Sequence, residues 1–272
     1  MKQKFFPLLK YILALIICAI QMVPLYISVT VSFKPQSDTS SYWKLSPRPY
    51  WQNYVNAVQS SNLPRAFLNT AVITTLSTLA VVLLSSMAAY PLARNPSPLN
   101  KKVKTFILSL MMIPALSLLV PLYVMLIRMQ MVSKYSGIVM VHTAFNLPLA
   151  IYMISNFINT IPRELDEAAL IDGSSVYAIF YRIIVPLLKP VFISIVILTA
   201  VPVWNDYQYS LYFLQKPAMQ VVTLAIASFF SLTSSDPHVA AAMALMVVIP
   251  IAALYMILQK YFIKGIMDGA IK

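Results

Sequence analysis

The residues best suited to a specific interaction are acidic and lie together in one short stretch. In a chain of which only 10% is charged, Pro162 is followed by Glu164, Asp166 and Glu167. Proline suits the first turn of a helix, and the helix dipole favours carboxylates near the N-terminus. The pattern predicts a short acidic helix. It is either a solvated loop between membrane spans or a surface that another protein approaches.

Small residues shape the rest of this stretch. Ala168 and Ala169 leave the helix with a flank that another surface can approach closely. Gly173 is placed to end the helix in a left-handed conformation. The serines that follow Gly173 can cap a second helix. We therefore expect two short helices separated by a tight turn.

Other site chemistries find little support in the sequence. The four glycines form no P-loop, and no His, Cys or Asp cluster has metal-ligand spacing. We therefore do not expect the chain to be an enzyme or to hold a cofactor. No Asp or Glu occurs between Asp38 and Glu164, whereas proton- or sodium-driven carriers commonly use an intramembrane carboxylate. Asp206 is predicted near the interface, and His142 is expected to be a packed, hydrogen-bonded residue.

Composition indicates a membrane protein. Of 272 residues, 60% are hydrophobic, and the formal net charge is +12. Such a charge can indicate nucleic-acid binding, but in a membrane protein Lys and Arg accumulate in cytoplasmic loops. No nucleic-acid partner is expected. The single cysteine, Cys18, lies in an apolar run and is interpreted as a small core residue.

Apolar runs predict an all-α membrane protein with six transmembrane helices. The N-terminal run is too long for a signal peptide and is expected to remain as the first span. The basic stretch Arg94–Lys104 is predicted to be a cytoplasmic loop, which places both termini in the cytoplasm. The predicted spans are Tyr11–Phe33, Ala66–Arg94, Val103–Arg128, Gly137–Phe157, Val185–Val203 and Val239–Leu258.

Three segments follow from this topology. Residues 1–65 hold the first span and a polar external loop, in which a short helix is predicted near Trp51–Gln59. Aromatic residues in this loop, such as Trp43 and Tyr54, are typical of an interfacial belt. Residues 66–259 form a core of five predicted spans, and residues 260–272 form a cytoplasmic tail. Hydroxyl and small residues in the second span favour close helix packing or a polar cavity.

The acidic stretch resembles a motif of a known family. Glu167-Ala168-Ala169, Asp172-Gly173, Pro186 and Pro190 look like the EAA motif of ABC importer permeases. The resemblance implies that this stretch, with Glu164 beside it, is a cytoplasmic coupling helix that docks in a cleft of an ATPase subunit. Val185 departs from the leucine that is more usual in the family.

Further stretches resemble the carbohydrate-uptake permeases of the maltose-transporter type. They are Trp51-Gln52-Asn53-Tyr54, Trp204-Asn205-Asp206 and the C-terminal tail. In that family the tail reaches the ATPase. The residues implied as a second contact are Lys264, Gly265, Gly269 and Lys272.

The resemblance implies a type I ABC importer permease fold in the cytoplasmic (inner) membrane, with a sugar or oligosaccharide as solute. Implied partners are a second homologous permease, two P-loop ATPase subunits that bind ATP and Mg, and an extracytoplasmic solute-binding protein. The candidates for a solute path are Thr199, Trp204, Asn205 and Tyr207. Alternatives are a permease for a polyol or glycerol phosphate, a stand-alone secondary transporter, and a membrane scaffold.

Overall fold

The computed structural model describes residues 2–60, 62–231 and 236–270, with the side chains of residues 10–59, 62–228 and 236–260. Every regular element in these ranges is a helix, as predicted. A π-helix, Phe180–Ile184, joins α8 to α9. The α-helices are α1 (Lys2–Ser32), α2 (Gln52–Ser60), α3 (Leu63–Arg94), α4 (Pro98–Leu110), α5 (Leu119–Arg128), α6 (Tyr135–Ile158), α7 (Glu164–Ile171), α8 (Val176–Ile179), α9 (Val185–Leu187), α10 (Lys189–Trp204), α11 (Gln208–Phe213), α12 (Val222–Ser231) and α13 (Pro237–Ala270).

Four helical stretches are long and apolar enough to cross a membrane: Lys10–Ser32, α3, α6 and Pro237–Lys260. A bilayer's hydrocarbon core needs about 20 apolar helical residues. Two further stretches pass the same test as bent pairs. Pro98–Leu110 and Ala115–Arg128 meet at 91°, and Val176–Leu187 and Lys189–Trp204 meet at 71°. If each pair is one span, the described chain has the six predicted spans.

The third span is not the continuous helix that the sequence predicted. The chain bends by 91° between α4 and α5, and Pro114 lies in the break. Proline has no N–H to donate to the preceding turn and disfavours helical backbone at the residue before it. The basic stretch before this span was also predicted wrongly as a loop. Most of it is α4, where Ser97 Oγ accepts a hydrogen bond from the Asn100 N–H at 3.2 Å.

A helical stretch, Val176–Leu187, precedes Lys189–Trp204, and the two meet at 71°. Ser175 caps α8, since its Oγ accepts a hydrogen bond from the Ala178 N–H at 3.2 Å. Pro186 and Pro190 lack the N–H that a continuous helix would need. This accounts for the helical break near the 71° bend.

The chain forms two compact units, of which the first comprises residues 1–64 and 224–250. In this unit the segment after α1 is folded rather than a simple loop. Lys34 is fully buried, and its Nζ donates to Ser40 Oγ at 2.6 Å and to the Ser41 carbonyl at 2.8 Å. Asn53, on α2, donates through Nδ2 to the Ser32 carbonyl at 2.9 Å. The predicted short helix is confirmed as α2.

The second unit comprises residues 65–223 and 251–272 and contains a core cluster of buried apolar residues. Val81, Ile154 and Ile184 are each fully buried in this core. Six of the seven Ser and Thr residues of α3 are buried as well, which favours a role in close helix packing. These residues are Thr70, Thr74, Ser77, Thr78, Ser85 and Ser86.

Candidate functional site

The predicted acidic helix is α7, an eight-residue helix in the second unit. Its first turn carries Glu164, Asp166 and Glu167, where the helix dipole favours negative charge. Pro162 lies outside the helix, before Arg163, and not in the first turn as the sequence indicated. Proline still acts as a boundary there, because it cannot donate a backbone hydrogen bond.

The C-terminal end of α7 is closed by a Schellman motif. Asp172 is the C-cap residue. The Gly173 N–H donates to the Leu170 carbonyl at 3.0 Å, and the Ser174 N–H donates to the Ala169 carbonyl at 2.9 Å. Gly173 has a φ of +78°, and nothing lies within 4 Å of where a Cβ would be. Glycine is therefore favoured by backbone conformation and not by crowding.

The two alanines of α7 lie on different faces. Ala169 is 8% exposed and belongs to the same core cluster as Ile158 and Ile161. Ala168 is exposed, as is Glu167 beside it. Ala169 thus packs α7 against the core. The small, exposed side chain of Ala168 leaves room for a partner to approach the helix closely.

Large, exposed apolar side chains occur on α7 and on the helical segment that follows it. Soluble surfaces rarely gather many of them, and such patches commonly mark interaction sites. We call this group the apolar rim. It consists of Leu170 (52% exposed), Ile171 (87%), Val176 (55%), Tyr177 (78%) and Tyr181 (57%).

Asp166 contacts α3. Its Oδ2 lies 2.7 Å from Arg94 Nη2, and its Oδ1 accepts a hydrogen bond from the Tyr90 hydroxyl at 3.1 Å. Arg94 Nη1 also donates to the carbonyls of Ile158 at 3.3 Å and Ile161 at 3.0 Å. The first turn of α7 is therefore joined to the ends of both α3 and α6.

Sequence reasoning missed this contact because it assigned Arg94 to a solvated basic loop. The available signal was the spacing of Tyr90 and Arg94, which places both side chains on one face of α3 one turn apart. Nothing in the sequence indicated Asp166 as their partner. The three residues line a cavity of about 410 Å³, together with Glu167.

A second candidate site lies at the C-terminal end of α10. Two of the four residues predicted for a solute path, Asn205 and Tyr207, line a cavity of about 500 Å³. The other two are buried: Thr199 is 2% and Trp204 is 8% exposed. Of the four predicted residues, the structure thus brings only Asn205 and Tyr207 together at this cavity.

The walls of this cavity combine aromatic rings with amides. Phe145 and Tyr209 stack with ring centroids 5.3 Å apart, and both line the cavity. Asn146 and Gln208 line it as well. An apolar, aromatic wall with a few polar groups is the usual build of a small-molecule site.

His142 and Asp206 meet beside the cavity. Asp206 Oδ2 lies 3.6 Å from His142 Nε2, an ion pair only when the imidazole is protonated. The carboxylate also accepts hydrogen bonds from the N–H groups of Tyr209 and Ser210 and from Ser210 Oγ. His142 is packed, as expected. The fold, however, places a carboxylate against the fourth span, which the sequence reasoning did not foresee.

Comparison with known families decides the assignment. Residues 81–268 match the family described as the binding-protein-dependent transport system inner membrane component. The chain belongs to this family. It is therefore a membrane-embedded permease of an ABC-type importer, as the motif around α7 implied, and its relatives are transport permeases rather than enzymes.

Named relatives cover nearly the whole permease. It is 41% identical over 262 residues to the melibiose/raffinose/stachyose import permease protein MelC of Bacillus subtilis, covering 96% of this chain and 95% of MelC. It is 30% identical over 261 residues to the probable starch degradation products transport system permease protein AmyC of Thermoanaerobacterium thermosulfurigenes, covering 96% and 95%.

Solved structures confirm the fold of the permease. A bacterial ABC transporter involved in the import of the acidic polysaccharide alginate has a chain that matches with a TM-score of 0.83 and 18% identity. The match covers 96% of this chain and 98% of that one. A bacterial alginate ABC transporter in complex with an alginate pentasaccharide-bound periplasmic protein matches with a TM-score of 0.71 and 16% identity, covering 94% and 93%. At these identities the likeness shows the fold of the permease.

The predicted second contact lies at the far end of the permease chain. Lys264, Gly265 and Gly269 lie on the last turns of α13, where the structure describes the backbone alone. Lys272 lies outside the described residues. This contact stays a prediction. Among the residues described, no three His, Cys, Asp or Glu side chains are grouped as metal ligands.

Proposed function

We propose that this permease moves its solute within a complex whose ATP is hydrolysed by other chains. It pairs with a second homologous permease, two P-loop ATPase subunits and an extracytoplasmic solute-binding protein in the cytoplasmic membrane. The family description supports the solute-binding partner. The lack of a P-loop in this sequence supports separate ATPase subunits that hold ATP and Mg²⁺.

The observation that carries the proposal is the exposed surface of α7. This surface combines the carboxylates of Glu164 and Glu167, the low flank at Ala168 and the apolar rim. Buried apolar contacts there stabilise a complex, while the carboxylates orient it. An ATPase subunit with an apolar cleft and basic margins fits this surface. The Schellman turn at Gly173 and the C-cap Asp172 keep the helix end in the shape that docks.

Coupling requires the docked ATPase to distinguish states of the permease. A ligand shifts a conformational equilibrium only through its different affinity for the two states. The open and closed ATPase pairs bind α7 at different positions, so ATP binding favours one arrangement of the spans and hydrolysis favours the other.

The side of the membrane on which α7 lies is inferred from the distribution of basic residues and from one contact. Basic residues accumulate on the cytoplasmic side, and Lys101, Lys102 and Lys104 lie near the start of α4. Arg94, which precedes α4, touches Asp166 on α7. The basic stretch and α7 therefore lie on one side, which we propose is the cytoplasmic side, with both termini there.

The proposed solute is a neutral oligosaccharide that contains galactose. MelC is described as an import permease for melibiose, raffinose and stachyose. The cavity beside Asn205 offers stacked rings and amides, which suit the C–H faces and hydroxyls of a sugar. Its described lining residues include no Lys or Arg, which favours a neutral sugar over glycerol phosphate.

Co-purification tests the docking surface. The permease is expressed with its partner permease and ATPase subunits, and the ATPase recovered with it is measured. Glu167→Lys should abolish recovery of the ATPase and ATP-driven uptake, because it places a positive charge at the acidic surface. Ser37→Lys, which also introduces a lysine at an exposed position, but in the first unit, is the control. Full recovery and uptake with Glu167→Lys would contradict the proposal.

A separate uptake assay tests the solute. The complete complex in phospholipid vesicles, with its solute-binding protein, should take up labelled raffinose when ATP is present. Excess unlabelled melibiose should compete, whereas glycerol 3-phosphate should not. Competition by glycerol phosphate alone would favour the alternative solute class.

A further inference from the structure

We infer that Arg94, Asp166 and Tyr90 form a clamp through which the coupling helix α7 moves the second span, α3. The clamp lies beside the proposed ATPase surface, since Glu167 and Leu170 line the same cavity as its three residues. The inference rests on the proposed function, because it requires an ATPase docked on α7. It adds a specific path by which the movement of that helix reaches a span.

The first reason is that little else holds α7. Of its eight residues, all of them described, Ala169 is the one that is buried. An isolated helix of this length is not stable in water, and one alanine in the core does not determine how the helix is rotated about its axis. The contacts of Asp166 with Arg94 Nη2 and the Tyr90 hydroxyl determine that rotation.

The second reason is that the charges of the clamp are mostly removed from water. The side chains of Arg94 and Asp166 are 12% and 13% exposed. Removing one member of such a pair leaves an uncompensated buried charge, which is strongly unfavourable. The pair therefore resists separation when α7 is pulled.

The third reason is the geometry of the guanidinium group. A planar guanidinium presents several N–H donors in a fixed fork. Arg94 donates through Nη1 to the carbonyls of Ile158 and Ile161, and its Nη2 forms an ion pair with the Asp166 carboxylate. The two carbonyls lie at and just beyond the C-terminal end of α6, where the helix dipole is negative. The Arg94 side chain of α3 thus contacts both α7 and the C-terminal end of α6.

The N-terminal part of α3 is hydrogen-bonded to residues 218–222. Asn69 Nδ2 donates to the carbonyls of Ala218 at 3.1 Å and Gln220 at 2.7 Å. The Val222 N–H donates to Thr70 Oγ1 at 3.0 Å. At 1.5 Å per residue, the 32 residues of α3 extend for about 48 Å. A displacement taken up by the clamp is therefore delivered across the span to residues 218–222.

The test separates docking from transmission. The complete complex is purified, reconstituted in phospholipid vesicles with its solute-binding protein, and assayed for raffinose uptake and ATP hydrolysis. Asp166→Asn should retain the co-purified ATPase and its hydrolysis but lower the raffinose taken up per ATP about tenfold. Arg94→Gln should do the same, and Arg94→Lys should recover part of the ratio, since its ammonium lacks the fork. Arg128→Gln removes an exposed arginine at the end of α5 and should leave the ratio unchanged.

A merely structural role predicts a different result: less assembled complex, with an unchanged ratio of uptake to hydrolysis in what remains. That result would overturn the clamp. If Asp166→Asn does not assemble, Tyr90→Phe decides, because it keeps both charges and removes one hydrogen bond. It should lower the ratio about twofold, and an unchanged ratio would overturn the clamp. The docking proposal fails in a different experiment. It is contradicted if the Glu167→Lys permease still co-purifies with the ATPase.

Discussion

The proposed coupling helix, α7, and the cavity beside Asn205 are built in opposite ways. The boundaries of α7 are made by neighbours in sequence: acidic residues in its first turn, and Gly173 with Ser174 closing its end. The cavity is lined by residues as far apart as Ala115, His142 and Tyr209. A docking helix can therefore be encoded locally, whereas a binding cavity depends on how distant segments pack.

The clamp lies between these two cases. Tyr90 and Arg94 are one helical turn apart, but their partner Asp166 follows more than 70 residues later. A local pattern marks one half of the contact, and the fold supplies the other half. The contact of α7 with α3 is thus a tertiary property, although the surface of α7 that we propose docks an ATPase is a local one.

The largest expected contrast between the two regions is in their accessibility from outside the cell. In a Cys18→Ser background, Gln208→Cys at the cavity should react with an impermeant thiol reagent added to intact cells. Lys102→Cys, on the proposed cytoplasmic side, should react only after permeabilisation. Both native side chains are exposed. Labelling of Lys102→Cys in intact cells would overturn the orientation.

Gly173→Leu should have the next largest effect, because it strains the turn that closes α7. A left-handed conformation costs a residue with a Cβ about 1–2 kcal/mol, which corresponds to about a tenfold change in the population of the docking-competent turn. ATP-driven uptake in reconstituted vesicles is the measurement. Gly173→Asn, which tolerates positive φ better, is the control. Equal uptake by both variants would show that the turn does not matter.

A smaller effect is expected at the cavity. Asn205→Ala should raise the sugar concentration for half-maximal uptake about fivefold, as expected for loss of a hydrogen bond worth about 1 kcal/mol. ATP hydrolysis at saturating sugar should change little. Thr199→Val, at a buried position, should shift the half-maximal concentration less. A larger shift for Thr199→Val than for Asn205→Ala would indicate that the sugar contacts the buried part of α10 rather than the cavity.

The smallest effect is expected from His142→Ala. Asp206 keeps its hydrogen bonds from Tyr209 and Ser210 when the imidazole is removed. ATP-dependent uptake should therefore persist, and an ionophore that collapses the proton gradient should not change it. Uptake that follows the proton gradient and ignores ATP would make the His142–Asp206 pair a relay and would contradict the ATP-driven mechanism.

The sequence by itself determined the features that depend on short-range chemistry. Apolar runs indicated the spans, since a bilayer selects helices by length and composition. Acidic residues before Gly173 placed α7 and its end, because caps and dipoles act within one helical turn. The short helix predicted near Trp51–Gln59 was confirmed as α2.

Only the tertiary structure decided features that join distant segments. The 91° bend at Pro114 was not foreseen because a proline in a span kinks or breaks it according to what packs around it. The pairing of Arg94 with Asp166, and of His142 with Asp206, depends on which helices are neighbours. Burial then separates residues that look alike in sequence: Ala169 enters the core while Ala168 stays exposed, because a helix turns by about 100° per residue.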